Sequence, residues 1–225
     1  MTTGIHGVGA GTVAKVGDIA VDANLSAAAQ DAITKRHTQN TDKVITDADA
    51  DTKIQVEESA DEDKIHMDVK GVEAFLLSDT GILTLAKQSA ARAWKDAADQ
   101  TISYDTVTKV VLEAETFDIQ GEYDKVTNYR FTAIAAGLYL CVAALDYEPV
   151  VDGNLYQVRL YKNGAFLAAC NAYAVGTVVA SPVIVQVVSL AATDYIEVYA
   201  YHQQTGTATL VKAWDGNWFV IAKIA

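Results

Sequence analysis

Along most of the second half of the chain apolar and polar residues alternate with a period of two, and one run breaks the alternation. FTAIAAGLYLCVAAL, Phe131 to Leu145, carries fifteen residues without a charge or a proline. A membrane-spanning helix needs about 20 apolar residues, whereas Arg130 and Asp146 close this run at fifteen, and Gly137 in its middle disfavours a long helix. The pattern predicts a strand, a turn at Gly137 and a second strand apolar on both faces. Such a strand must be covered twice, once by its own core and once by something else.

From about Arg92 onward the whole pattern is β. Strands are expected at 109–113, 128–133, 138–145, 155–162, 165–173, 183–190, 195–203, 208–213 and 218–224, with Gly, Asn and Asp turns between them. LYKNGAF places Asn163-Gly164 at a tight hairpin turn. Nine strands in about 115 residues fit an antiparallel sandwich or jelly roll. In LYQVRLYK, Tyr156, Val158 and Leu160 share one face, and Gln157, Arg159 and Tyr161 the other, which reads as a strand with one side in water. In YIEVYAYHQ, Ile196, Val198 and Ala200 form the core face. Its opposite face holds Tyr195, Glu197, Tyr199 and Tyr201, a row of rings with one charge. WFVIAKIA at the C-terminus is apolar on both faces. The expectation is one solvated sheet and one sheet with apolar outer groups, the latter including 195–203, hidden in an assembly of three chains.

The first ninety residues differ. Residues 1–24 are rich in Gly, Ala and Val without periodicity, and LSAAAQDAITKR, 25–36, reads as a short helix capped by Ser26. Residues 41–87 carry short alternating runs at 53–57, 64–69, 72–77 and 82–85, separated by Ser59-Ala60-Asp61, Lys70-Gly71 and Ser78–Gly81 turns. Each run offers two or three apolar side chains, too few to close a monomeric core.

Charge narrows the partners. The 225 residues carry a net charge of -12 with no Lys/Arg cluster, which argues against nucleic acid and against an anionic membrane surface. No basic stretch followed by an apolar one opens the chain, so no secretory signal is expected. Hydrophobic residues make up 51%, enough for a sizeable core. Cys141 and Cys170 fall in separate expected strands, and a bond between them is left open.

Several residues carry a resemblance. RFTAIAAGLY (Phe131, Gly137, Tyr139), VRLYKNG (Leu160 to Gly164), LAATDYIEV (Leu190, Asp194, Ile196, Val198) and NWFVIAKI resemble, in order and spacing, the C1q/TNF-like trimeric jelly roll over roughly residues 92–225. Thr193 stands where that family has glycine, and the Phe-x-Gly near its C-terminus is absent. HTQNTD, DADTKIQVEESADEDKI and the SDTG turn are similar to the shafts of phage fibres and spikes, built of short strands from three chains. Together the resemblances imply a non-enzymatic homotrimer. Residues 1–40 would anchor it to other virion proteins, 41–90 would form a β shaft and 91–225 a jelly-roll head. It would be made in the host cytoplasm, sit on the virion of a bacterial virus and meet a host-surface glycan or protein without inserting in a membrane. A capsid decoration protein and a glycan-degrading spike are the alternatives.

Candidate chemistry is sparse. GVGAG at 7–11 lacks a phosphate-loop spacing. Asp47, Asp49, Asp51 and Glu58 match ligand positions of a calcium loop, yet Thr52 stands where its sharp turn needs glycine, so a solvated acidic run is expected. His6, His37, His66 and His202 are scattered, although His37 repeated three times could ring an axis. Glu197 has no identifiable acidic partner and no Ser/His/Asp order stands out, so no catalytic residue, metal or cofactor is assigned. The trimer interface is expected at Tyr139, Tyr195, Tyr199, Tyr201 and Trp218. Receptor-facing positions are expected in the loops 146–154, 174–181 and 202–206, at Asp146, Asp152, Asn154, Thr177, His202, Gln203 and Gln204.

Overall fold

A computed structural model describes residues 44–56 and 63–225. The expected helix at 25–36, the anchoring segment 1–40, His6, His37 and Glu58 lie outside the described residues. Every described element is a strand. The chain divides into two compact units, the second comprising 74–76 and 83–225.

The first unit carries β1 (Val44–Thr46), β2 (Lys53–Val56), β3 (Ile65–Val69) and the start of β4 (Val72–Leu77), which follow one another as a meander. Lys70 and Gly71 both have positive φ, 53° and 68°, the backbone of a two-residue hairpin turn joining β3 to β4. Burial here runs against the usual rule. Gln55, His66 and Asp68 are buried, while Ile54, Val56, Ile65 and Val69 are exposed. The polar side is held by pairs: Lys53 Nζ lies 3.0 Å from Asp68 Oδ2, and His66 Nδ1 lies 2.7 Å from Glu73 Oε2. The apolar side is left uncovered.

The second unit holds β5 (Leu83–Thr84), β6 (Ala90–Lys95), β7 (Gln100–Ser103), β8 (Thr108–Lys109), β9 (Ala114–Asp118), β10 (Tyr123–Asp124), β11 (Arg130–Thr132), β12 (Gly137–Ala144) and β13 (Tyr147–Glu148). It continues with β14 (Leu155–Lys162), β15 (Ala165–Tyr173), β16 (Val183–Leu190), β17 (Tyr195–His202), β18 (Thr207–Leu210) and β19 (Ala213–Lys223). Two sheets face each other, one in the order β10-β11-β17-β14-β15 and the other β16-β12-β19-β6-β9. Each pairing with an established register in them is antiparallel, and the chain passes repeatedly from one sheet to the other, the connectivity of a jelly roll. A small sheet, β13-β18-β7, lies beside them.

Period-two alternation builds the core. Phe131, Tyr156, Val158, Leu160, Ile196 and Ala200 from one sheet meet Tyr139, Cys141, Ile184, Leu190, Phe219 and Ile221 from the other. Phe131 and Tyr139 rings sit 5.7 Å apart and tilted, a favoured aromatic geometry. Full burial of a side chain such as Leu160 stabilises the fold by about 2 kcal/mol. Asn163 and Gly164, at φ 52° and 77°, close the β14–β15 hairpin as the sequence predicts. Gly137 opens β12, so the turn precedes it. The position is glycine because a Cβ would fall 2.2 Å from the Ala225 carbonyl oxygen.

One expectation is corrected, and one question that the sequence leaves open is closed. The strand at 155–162 and the strand at 195–202 belong to one sheet: β14 pairs β17 with Arg159 opposite Tyr199. Strand patterns reveal faces, and neighbours are set by distant pairings that no single strand displays. The Cys141–Cys170 bond is absent, because the residues sit on β12 and β15 in opposite sheets as free thiols.

Candidate interaction surfaces

The two sheets present outer faces of opposite character. On the outer side of β16-β12-β19-β6-β9, cross-strand registers line up Val183, Ala144, Trp218 and Trp94 in one row. Val185, Val142, Val220, Arg92 and Phe117 form the next, and Val187, Leu140, Ala222 and Ala90 the third. Arg92 is the one charge in these rows, and its Nη1 donates to Thr116 Oγ1 at 2.6 Å. Val185 is 58% exposed. Five strands about 4.8 Å apart and three rows about 6.8 Å apart span on the order of 500 Å², in the upper part of the range of the largest, often functional, apolar patch on a monomer. This is the sheet that the all-apolar runs at 138–145 and 218–224 announce, and Trp218 lies on it. A second apolar strip runs along the flank where the sheets end. The edge strand β15 exposes Phe166, Leu167 and Tyr173 and lies against β16, the edge of the other sheet.

The outer face of β11-β17-β14 is instead polar and aromatic. Arg130 Cζ sits 4.0 Å above the Tyr195 ring, and Arg159 Cζ 4.0 Å above Tyr201. Tyr161 and Tyr199 rings pack at 4.3 Å. Glu197 receives Lys109 Nζ at 2.6 Å and the Tyr199 hydroxyl at 3.3 Å. Burial, followed by the negative Glu197, pushes the Tyr199 hydroxyl up to about 12. Tyr201 donates to Asp105, which raises its pKa too. Glu197 is thus held in a lattice of partners rather than poised for proton transfer.

Several expected site residues are enclosed or covered within the single chain. Tyr139 is fully enclosed within its own sandwich and donates to Ala135 O at 2.7 Å, so it offers nothing to a second copy. Tyr195, Tyr199 and Tyr201 lie on the sheet opposite Trp218, with Arg130 over Tyr195, Arg159 over Tyr201 and the Tyr161 ring against Tyr199. His202 is not receptor-facing. Alternation along β17 carries it inward, where Nε2 donates to Ile102 O at 2.9 Å and the ring stacks 6.0 Å from Tyr156. Gln204 is also buried, held by the Tyr156 hydroxyl and by Thr207 O.

The three expected loops converge at one end. The Tyr156 hydroxyl accepts from Val151 N at 2.8 Å and donates to Gln204 Oε1, joining the first loop to the third. Asp152 Oδ1 accepts from Gly176 N at 2.8 Å, joining the first to the second. Asp152, Thr177 and Gln203 are exposed there, and Asp146 and Asn154 half-buried.

In the first unit, ligand oxygens of Asp47, Asp49 and Asp51 lie within 4.8 Å of one another. The turn explains the grouping: Asp47 Oδ1 accepts from Thr52 N at 3.2 Å, and that bond draws its carboxyl below the ordinary value.

The fold defines the second unit as an antiparallel jelly-roll sandwich. Among solved structures it is similar to Eiger TNF from S. frugiperda, at 12% identity and a TM-score of 0.49 over 61% of this chain and 93% of that one. It is also similar to murine APRIL, at 17% identity and 0.46 over 61% and 100%. The globular domain of zebrafish complement 1qA protein matches at 15% and 0.46 over 62% and 98%. No family model and no curated protein matches the chain.

Proposed function

We propose that this chain is a non-enzymatic, homotrimeric structural protein of a fibre or spike on a bacterial virus, with its jelly-roll head presented to the host surface. The observation that carries the reading is the apolar outer face of β16-β12-β19-β6-β9. At about 25 cal/mol per Å², covering that face contributes on the order of 10 kcal/mol per subunit before association costs. The apolar β15–β16 flank supplies a surface of matching character at a different place on the same copy. Flank packed on face is a heterologous contact, which closes into a ring when the rotation allows. Three is the number that the C1q/TNF resemblance implies. The inverted first unit supports a shaft, since Ile54, Val56, Ile65 and Val69 also need cover from elsewhere. In a trimer three equal weak sites act together, and avidity multiplies them.

Negative-stain electron microscopy of the purified chain, with gold-labelled antibody to the head applied to virions, tests this. A slender stalk ending in a three-lobed knob, and label on virion projections, are expected. Single compact particles and unlabelled virions would remove the reading.

A further inference from the structure

We propose that Asn163 is a site of spontaneous deamidation, held off in the folded chain by the grip of Asp194 and Tyr195 on its side-chain amide, and that its completion breaks that grip for good. Asn163 is the one asparagine of the chain followed by glycine. Both residues lie exposed in the β14–β15 hairpin turn, at φ 52° and 77°. Asparagine is thermolabile, and most so before glycine, which brings no Cβ to shield its amide nitrogen. Among the described residues no hydrogen bond engages Gly164 N, so the attacking atom is free. The group it must reach is not. Asn163 Oδ1 accepts from Tyr195 N at 2.9 Å, and Nδ2 donates to Asp194 Oδ1 at 2.7 Å. Asn163 N is fixed as well, donating to Tyr195 O at 3.0 Å.

The reaction needs only water. Gly164 N gives up its proton to solvent and bonds to Asn163 Cγ. The Cγ–Nδ2 bond breaks, ammonia leaves with a proton taken from solvent, and a cyclic imide remains. Water then opens the imide at one carbonyl or the other, leaving aspartate or isoaspartate, and no group is oxidised or reduced. Ring closure demands that Cγ swing over Gly164 N, which draws both amide atoms off their partners. The imide therefore forms in molecules whose clamp has opened locally. Asp194 does not assist the departure of ammonia. Paired with Lys162 Nζ at 2.8 Å and kept ionised by its partners, its carboxylate has no proton to give.

The product cannot re-form the clamp. Aspartate at this position puts a second carboxylate where Nδ2 stood, at hydrogen-bond distance from Asp194. Two carboxylates so close repel, and one of them must take up a proton or move away. Isoaspartate adds a carbon to the main chain of a two-residue turn and spoils its register with β15. Either product frees the hairpin from the turn that precedes β17, and refolding does not restore the amide. One copy carries the whole arrangement, whatever the state of assembly.

Peptide mass mapping of the full chain, incubated warm in mildly alkaline buffer, tests the proposal through ammonia released and the single mass unit gained at Asn163. Native wild type, native Asp194→Ala and wild type in guanidinium are followed side by side. The unfolded chain is expected to react fastest, and native wild type at least about tenfold more slowly. Asp194→Ala is expected to react severalfold faster than native wild type, with unchanged circular dichroism. Asn163→Asp, the product made directly, is expected to melt below wild type at neutral pH. The gap should close below pH ~4 as one carboxylate of the pair is protonated. Native wild type reacting as fast as in guanidinium, Asp194→Ala reacting no faster than wild type, or a melting gap that is absent or independent of pH would overturn it. Should Asp194→Ala fail to fold, the wild-type rates and the melting of Asn163→Asp decide alone.

Discussion

The Asn163 side-chain amide donates to the Asp194 carboxylate at 2.7 Å and clamps the β14–β15 hairpin to the turn that precedes β17. Lys162 Nζ adds an ion pair at 2.8 Å, Ala191 N a hydrogen bond at 2.9 Å, and Tyr195 N returns one to Asn163 Oδ1 at 2.9 Å. These partners, Lys162 foremost, hold the Asp194 carboxyl down to about 2 from 3.8. A carboxyl depressed in the folded state contributes stability that is complete above its unfolded value and lost as pH falls toward the folded one. The window therefore runs from 3.8 down to about 2. Thermal melting against pH should show Asp194→Asn melting below wild type above pH ~5, with the gap closing across that window. A constant gap down to pH ~2 would show that the clamp does not work through ionisation.

Thr193 sits at φ 75° in the same turn, third of four residues closed by Asp194 N donating to Ala191 O at 3.2 Å. A positive φ at this place is the requirement of a type II turn, which glycine meets without cost and a β-branched residue does not. The residue that departs from the C1q/TNF pattern is therefore under strain. Thr193→Gly should stabilise the second unit by roughly 1 kcal/mol, read as a rise of about 2–4 °C in melting temperature. A fall would show that the threonine side chain contributes more than the strain removes.

The two thiols should separate cleanly. Cys141 is enclosed in the core and burial pushes its thiol up to about 12, while Cys170 is half-buried at the open β15 edge. Ellman's reagent should modify Cys170 well before Cys141 in native protein and both together in guanidinium. Equal native rates would place Cys141 outside the core, and no native reaction before reduction would reveal a disulfide.

The strands most legible in the sequence are those whose faces differ sharply. β14, β15 and β16 have the boundaries that alternation and Asn-Gly punctuation indicate. β6 escapes notice because Ala-Ala-Arg-Ala-Trp-Lys has the composition of a helix, and only its place between β19 and β9 makes it a strand. The expected apolar outer face exists, but β17 is not on it. Along that strand alone Tyr195, Tyr199 and Tyr201 read as greasy. The cations that cover Tyr195 and Tyr201, Arg130 and Arg159, come from strands 65 and 42 positions away. His202 and Gln204 read as loop polar groups, yet main-chain and tyrosine partners hold them inside the core.

Sedimentation equilibrium of the full chain at micromolar concentration, beside Val185→Asp, tests most directly whether the outer face of β16-β12-β19 is hidden by sister copies. Val185 is exposed in the single chain, so the charge should leave the fold and its circular dichroism intact while placing three buried carboxylates at the joints of a trimer. The expected result is three times the chain mass of 24.1 kDa for wild type and the single mass for the variant. A wild-type chain sedimenting at 24.1 kDa, or a variant that assembles as well as wild type, would contradict it.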